Sequence, residues 1–147
     1  MTEILSRLPD ALQTNIRHYT LGFLYLERDT RYNSLIKGFR DSNGERTGRW
    51  LEWHPCSQLW CQQEYQNGER TGRWLQWYSN DQLSCQKEYQ NGLKHGIWKE
   101  WTYRGRLQLH KEYQNGKEHG THKEWYPSGQ LASHREYQNG TLVRRIE

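Results

Sequence analysis

A block of 24 residues recurs along the chain, and the recurrence constrains the fold more than any single residue does. Gly44, Gly68, Gly92, Gly116 and Gly140 fall at one fixed interval, and Glu-Tyr-Gln-Asn-Gly closes on each of the last four. Leu59, Leu83, Leu107 and Leu131 keep the same register, as do Trp53, Trp77, Trp101 and Trp125. A fixed period of this length means stacked supersecondary units, none able to bury its apolar face alone.

The unit from Gly68 to Gly92 reads as a hairpin. Gly-Glu-Arg-Thr-Gly (68–72) is a loop, Arg73 to Tyr78 an aromatic strand, Ser79-Asn80-Asp81 a turn, and Gln82 to Gln90 a second strand. Asn91-Gly92 makes the next tight turn. Such units are expected to join edge to edge as one elongated antiparallel sheet, a single layer roughly 40–50 Å long. Alternation puts Leu83, Cys85, Lys87 and Tyr89 on one face of the second strand, giving a Leu and Tyr ladder. Trp74 and Trp77 are three apart, so either a bulge realigns them or each face carries its own Trp ladder. Glu64, Glu88, Glu112 and Glu136 form a further ladder, read as a solvated face with charges ~10 Å apart.

Composition bears on what holds so thin a sheet together. Only 33% of residues are hydrophobic, yet there are eight Trp and ten Tyr, so rings must supply what aliphatic side chains do not. The net charge of +4 is interleaved along the chain, with Arg144-Arg145 the sole basic cluster, which argues against nucleic acid. No apolar run approaches the ~18 residues of a membrane span. Glu3 and Arg7 break the first apolar residues, so no signal peptide is expected, and the chain reads as intracellular and cytoplasmic. Cys56, Cys61 and Cys85 are then reduced thiols; the last two are repeat equivalents ~10 Å apart, beyond disulfide reach. His119 and His122 are three apart and point to opposite faces of a strand. There is no Cys-x-x-Cys, phosphate loop or nucleophile elbow. No catalytic, metal or cofactor site is expected, and the chain reads as no enzyme.

The pattern Gly-x-x-x-Gly-x-Trp-x-x-Trp, a turn, Gln-Leu and Tyr-x-x-Gly recurs over residues 39–140 and resembles the MORN repeat class, above all the variant of YwqK-like antitoxins. Lys94-His95-Gly96 and Glu118-His119-Gly120 are similar to the His-Gly of many MORN repeats. The resemblance implies a twisted array of hairpins serving as a protein-interaction, dimerisation or membrane-proximal scaffold, without catalysis. The last full copy departs from it, with His122 where the first Trp is expected. Residues 21–44 read as a divergent opening repeat and 45–147 as MORN-like hairpins.

Residues 1–20 lie outside the period. Ile4, Leu5, Leu8, Leu12, Ile16 and Tyr19 have helical spacing, and Pro9 suits a first helical turn, so a short helix capping the sheet is expected. The same string, Leu8-Pro9-x-x-Leu12-x-x-x-Ile16, resembles the opening of an F-box. That resemblance implies that Leu8, Pro9, Leu12 and Ile16 bind a Skp1-type adaptor. An F-box-like start joined to MORN-type repeats is similar to proteins of large DNA viruses of amoebae, which implies the host cytoplasm or the virion. The expected partner is a protein, held by Trp53, Trp77, Trp101 and Trp125 on a sheet face or at a free edge. A second copy joined through edges or ends is a further expectation. A substrate adaptor of a ubiquitin ligase and an antitoxin are the alternatives to a plain scaffold.

Overall fold

The computed structural model describes residues 23–29 and 34–146. They form one antiparallel sheet whose strands lie side by side in chain order. The strands are β1 (Phe23–Asp29), β2 (Ser34–Arg40), β3 (Arg46–Trp53), β4 (Leu59–Gln66), β5 (Glu69–Trp77), β6 (Leu83–Gln90), β7 (Leu93–Trp101), β8 (Leu107–Gln114), β9 (Lys117–Glu118), β10 (Gly120–Trp125), β11 (Leu131–Gln138) and β12 (Thr141–Ile146). β9 and β10 both pair with β8 and amount to one strand interrupted at His119. The fold is thus the all-β, single-layer array of hairpins that the period predicts. The helix expected within residues 1–20 lies outside the described residues.

Two kinds of turn alternate. At one edge, Asn67-Gly68, Asn91-Gly92, Asn115-Gly116 and Asn139-Gly140 have positive φ at both residues, 50–54° at Asn and 75–88° at Gly. That conformation matches the twist of the flanking strands, and asparagine and glycine are the residues that adopt it at least cost. Successive tight turns are tied together, since Gly92 N–H donates to the Arg70 carbonyl and Gly116 N–H to the Lys94 carbonyl, at 2.9 and 2.8 Å. At the other edge a longer loop closes on a left-handed residue, which is Gly105 or Gly129 in two units but Ser57 or Asp81 in the others.

The Trp question is decided by a bulge that recurs in four hairpins. Gln76 lies opposite Cys85 while Trp77 lies opposite Leu83, leaving Ser84 as the extra residue on β6. Alternation is interrupted on the strand that carries the extra residue, so Leu83 leaves the Cys85–Lys87–Tyr89 face and joins Trp77 on the other. The expected Leu and Tyr ladder is therefore replaced by two ladders. An inner face carries Trp74 and Tyr89, and an outer face carries Trp77 and Leu83.

A second irregularity links neighbouring units. Gln62 pairs with Leu75, but Glu64 pairs with Thr71, so β5 holds two extra residues around Gly72, whose φ is 59°. The stretch 68–72 is thus largely strand with a bulge rather than a free loop. The carboxylate of the preceding strand sits where a Cβ would stand at Gly72, Gly96 and Gly120. Glu88 Oε2 accepts the Ile97 N–H and Glu112 Oε2 the Thr121 N–H, each at 3.3 Å. The Glu ladder, read from sequence as a solvated face, instead clasps the backbone of the next hairpin.

These backbone assignments predict opposite signs for two substitutions. Gly96→Ala forces a side chain into the left-handed region and against the Glu88 carboxylate, and is expected to cost about 1–2 kcal/mol. Ser57→Gly relieves a left-handed backbone, φ 67°, and should stabilise by up to about 1 kcal/mol. Chemical-denaturation midpoints of both variants measure this, and shifts of the same sign would contradict the turn assignments.

Candidate functional site

Trp50, Trp74, Trp98 and His122 occupy equivalent inner-face positions, opposite Gln63, Lys87, Lys111 and Arg135. Tyrosines interleave with them. Ring centroids run Trp74–Tyr89 5.6 Å, Tyr89–Trp98 5.4 Å, Trp98–Tyr113 4.9 Å, Tyr113–His122 5.9 Å and His122–Tyr137 4.3 Å. Trp50 packs edge-on against Tyr65 at 6.2 Å and lies over Gly38, where a Cβ would overlap the indole. Trp50, Trp98 and His122 are buried, so this column is the core of the sheet.

Each indole carries a cation as a lid. Arg46 stands 4.3 Å from the Trp50 centroid, Arg70 4.3 Å from Trp74 and Lys94 4.5 Å from Trp98. Each also reaches the adjacent tyrosine, at 5.2, 5.4 and 5.0 Å. At the fourth position both partners change. The ring is His122 and the lid is Glu118, whose carboxylate lies 3.8 Å from His122 Nδ1. A ring with a negative face takes a cation, and an imidazole takes an acid. The hydrogen bond survives the exchange, because His122 Nε2 meets the Glu112 carbonyl at 3.3 Å where Trp98 Nε1 donates to the Glu88 carbonyl at 3.0 Å.

The inner face is spent on packing. Burial pushes the Cys61 thiol up to about 11 and raises that of Cys85. Trp74 Nε1 donates to Cys61 Sγ at 3.1 Å. Thiols held protonated and enclosed are weak nucleophiles. Among the described residues no three His, Cys, Asp or Glu side chains cluster as a metal site.

The outer column differs. Trp53, Trp77, Trp101 and Trp125 lie opposite Leu59, Leu83, Leu107 and Leu131 at the ends of their strands. All four are half-buried, and among the described residues none stacks on another ring. Beside them the loops present Tyr103 and Tyr126, 53% and 58% exposed. Tyr78 packs edge-on against Tyr103 at 5.4 Å, and its hydroxyl donates to the Trp101 carbonyl at 2.8 Å. The structure thus brings the four expected contact tryptophans into one accessible column. Leu8, Pro9, Leu12 and Ile16 lie outside the described residues. Sequence reading missed the cation lids, although Arg46, Arg70 and Lys94 each precede an inner Trp by four residues.

Two segments, residues 70–91 and 118–139, match the family model described as the MORN repeat variant. No curated protein matches the chain. Two unmatched hairpins, β3–β4 and β7–β8, share the register of a matched one, since Gly48 faces Tyr65 and Gly96 faces Tyr113 just as Gly72 faces Tyr89. No helix among the described residues is long and apolar enough to cross a membrane.

The exchange at His122 has a pH signature. Burial lowers the His122 pKa below its ordinary 6.5, outweighing the Glu112 carbonyl and the Glu118 carboxylate. Folding therefore favours the neutral ring, and the stability it contributes is full above the unfolded value and lost as pH falls through the folded one. Thermal melts from neutral to about pH 5 should show the wild type losing more stability than His122→Trp, which restores the ring of the other units. Parallel pH profiles for the two proteins would contradict this.

Proposed function

We propose that the chain is a non-enzymatic protein-binding scaffold whose contact surface is the Trp53, Trp77, Trp101 and Trp125 column. The observation that carries this reading is the contrast between the two faces. Inner rings are stacked and lidded, whereas the outer tryptophans are half-buried and have no ring partner among the described residues. Large amphipathic rings repeated every two strands, ~10 Å apart, are the anchors expected of an extended binding surface. The match of two units to the MORN repeat variant supports the same class of role. The outer edge of β12, unpaired among the described residues and carrying exposed Leu142 and Val143, also offers a second copy a place to add strands. The test is affinity capture from the native cell with mass spectrometry. A protein recovered by the wild type should be lost with Trp77→Ala/Trp101→Ala while circular dichroism stays unchanged. Equal recovery by the folded variant would remove the column from the surface.

Two narrower readings attach to the resemblances. In a substrate adaptor of a ubiquitin ligase, Leu8, Pro9, Leu12 and Ile16 would hold Skp1 while the repeats hold the target, in a host cytoplasm or virion. In a YwqK-like antitoxin the repeats would neutralise a toxin by direct binding. An adjacent toxin gene would mark the antitoxin, and Leu8→Asp/Ile16→Asp separates the adaptor from a capping role. Loss of Skp1 capture at an unchanged melting temperature marks the adaptor, whereas a lowered melting temperature marks a cap.

A further inference from the structure

Five Asn-Gly pairs recur along the chain, beginning at Asn43, Asn67, Asn91, Asn115 and Asn139. Such a pair is chemically reactive, because glycine has no side chain to shield its backbone nitrogen from the carboxamide of the asparagine before it. All five asparagines are exposed, so access to water does not distinguish them.

Their backbones do. Asn67, Asn91, Asn115 and Asn139 are left-handed, with φ of 50–54°, and Asn43 lies outside that region. A left-handed asparagine holds its Cβ on the far side of the Cα–C bond from the next nitrogen. The N–H groups of Gly68, Gly92, Gly116 and Gly140 also donate to the carbonyls of Arg46, Arg70, Lys94 and Glu118, at 2.8–2.9 Å. Each of these four nitrogens is thus turned away from the neighbouring carboxamide and tied to another strand.

The first pair is built otherwise. Gly44 N–H donates to the Asp41 carbonyl at 3.0 Å, three residues back in the same loop. Asp41 Oδ1 accepts the Asn43 and Glu45 N–H groups at 2.9 Å, and Arg40 Nη1 donates to the Gly44 carbonyl at 2.7 Å. The loop has the form of those at the opposite edge, where the N–H groups of Ser57, Asp81, Gly105 and Gly129 reach back three residues. Asn43 holds the third position of that turn, where ψ is about 0° and Cβ comes round toward the glycine nitrogen. The bonds that hold this loop all lie within residues 40–45, whereas opening any of the other four turns breaks a bond between strands.

We propose that Asn43 is the site of spontaneous deamidation in the folded protein, and that the bonds between hairpins protect the other four pairs. The Gly44 nitrogen attacks Asn43 Cγ. The new N–Cγ bond closes a five-membered imide, the Cγ–Nδ2 bond breaks, and ammonia leaves with the glycine proton. Water then opens the imide at either carbonyl to give aspartate or isoaspartate, with no change in oxidation state. The product places a carboxylate between Asp41 and Glu45, and the isoaspartate form lengthens the main chain by one carbon in the loop that leads into β3. Glu45 borders Gly68, so the change reaches the second turn. This chemistry is independent of what the outer face binds.

The test ages the full chain in mildly alkaline buffer below its melting transition and follows all five pairs by peptide mass mapping. Conversion at Asn43 should run about tenfold or more ahead of each of the other four, since tenfold corresponds to about one net hydrogen bond in opening free energy. In denaturant the five should convert at similar rates. Isoelectric focusing of the aged wild type should show a more acidic form that Asn43→Ser lacks. Comparable rates at all five pairs in the folded chain, or an acidic form that accumulates as fast in Asn43→Ser, would overturn the proposal. So would a lead for Asn43 that persists undiminished in denaturant, because flanking sequence and not the fold would then be its cause.

Discussion

A sheet one layer thick has no second layer against which to bury apolar side chains, so its stability depends on contacts made along one face. Here that contact is ring on ring. Trp74, Tyr89, Trp98, Tyr113, His122 and Tyr137 form a continuous column with centroids 4.3 to 5.9 Å apart. Each ring is supported from both sides by the adjoining strands, and Arg46, Arg70 and Lys94 close the solvent side of the column. Cations serve as lids because their aliphatic stems cover the rings while their charged ends remain wet. Among the described residues few others are buried; Cys61 and Cys85 are two of them, and the Cys61 thiol accepts the Trp74 indole N–H.

The second constraint is the joint between hairpins. A glutamate on one strand reaches the bulge of the next, where only a residue without Cβ leaves room for the carboxylate. The β5–β6 hairpin is thereby coupled to β7–β8, and β7–β8 to β10–β11, through a side chain, a turn hydrogen bond and a shared ring stack. Stability in such an array is a sum of unit terms and nearest-neighbour terms. At β12 the joint changes form. Arg144 stands at the glycine's repeat position, and Glu136 meets its guanidinium at 3.2 Å instead of a backbone N–H.

The parts of this fold that depend on local chemistry were legible in the sequence. The period, the hairpins, the strand order and the Asn-Gly turns all follow from residues a few positions apart. The two ladders were not separable, because the bulge at Ser84 is a matter of which residues face each other across strands, and serine carries no local mark of it. The role of the Glu row was hidden for the same reason. Glu88 looks like any charged strand residue until the pairing brings Gly96 beside it. For the candidate site, the outer tryptophans were identified by repetition alone. What set them apart from Trp50, Trp74 and Trp98 was ring stacking under a cation, which depends on pairing across strands.

The loop edge carries the contacts that are not alike. Gln58 Nε2 donates to Asp81 Oδ1, Tyr78 to the Trp101 carbonyl, Asn80 to the Tyr103 carbonyl and Arg106 to the Pro127 carbonyl. The Asn-Gly edge repeats almost unchanged, so a folding chain can dock a hairpin onto the next but one and extrude the hairpin between them as a closed 24-residue loop. Backbone pairing and ring stacking would be nearly as good in that skipped arrangement. The mismatched loops would not be, since Gln58 would then face Gly105 in place of Asp81. The variable edge thus acts as a set of keys that number the hairpins, and the uniform edge is free to be uniform because of it.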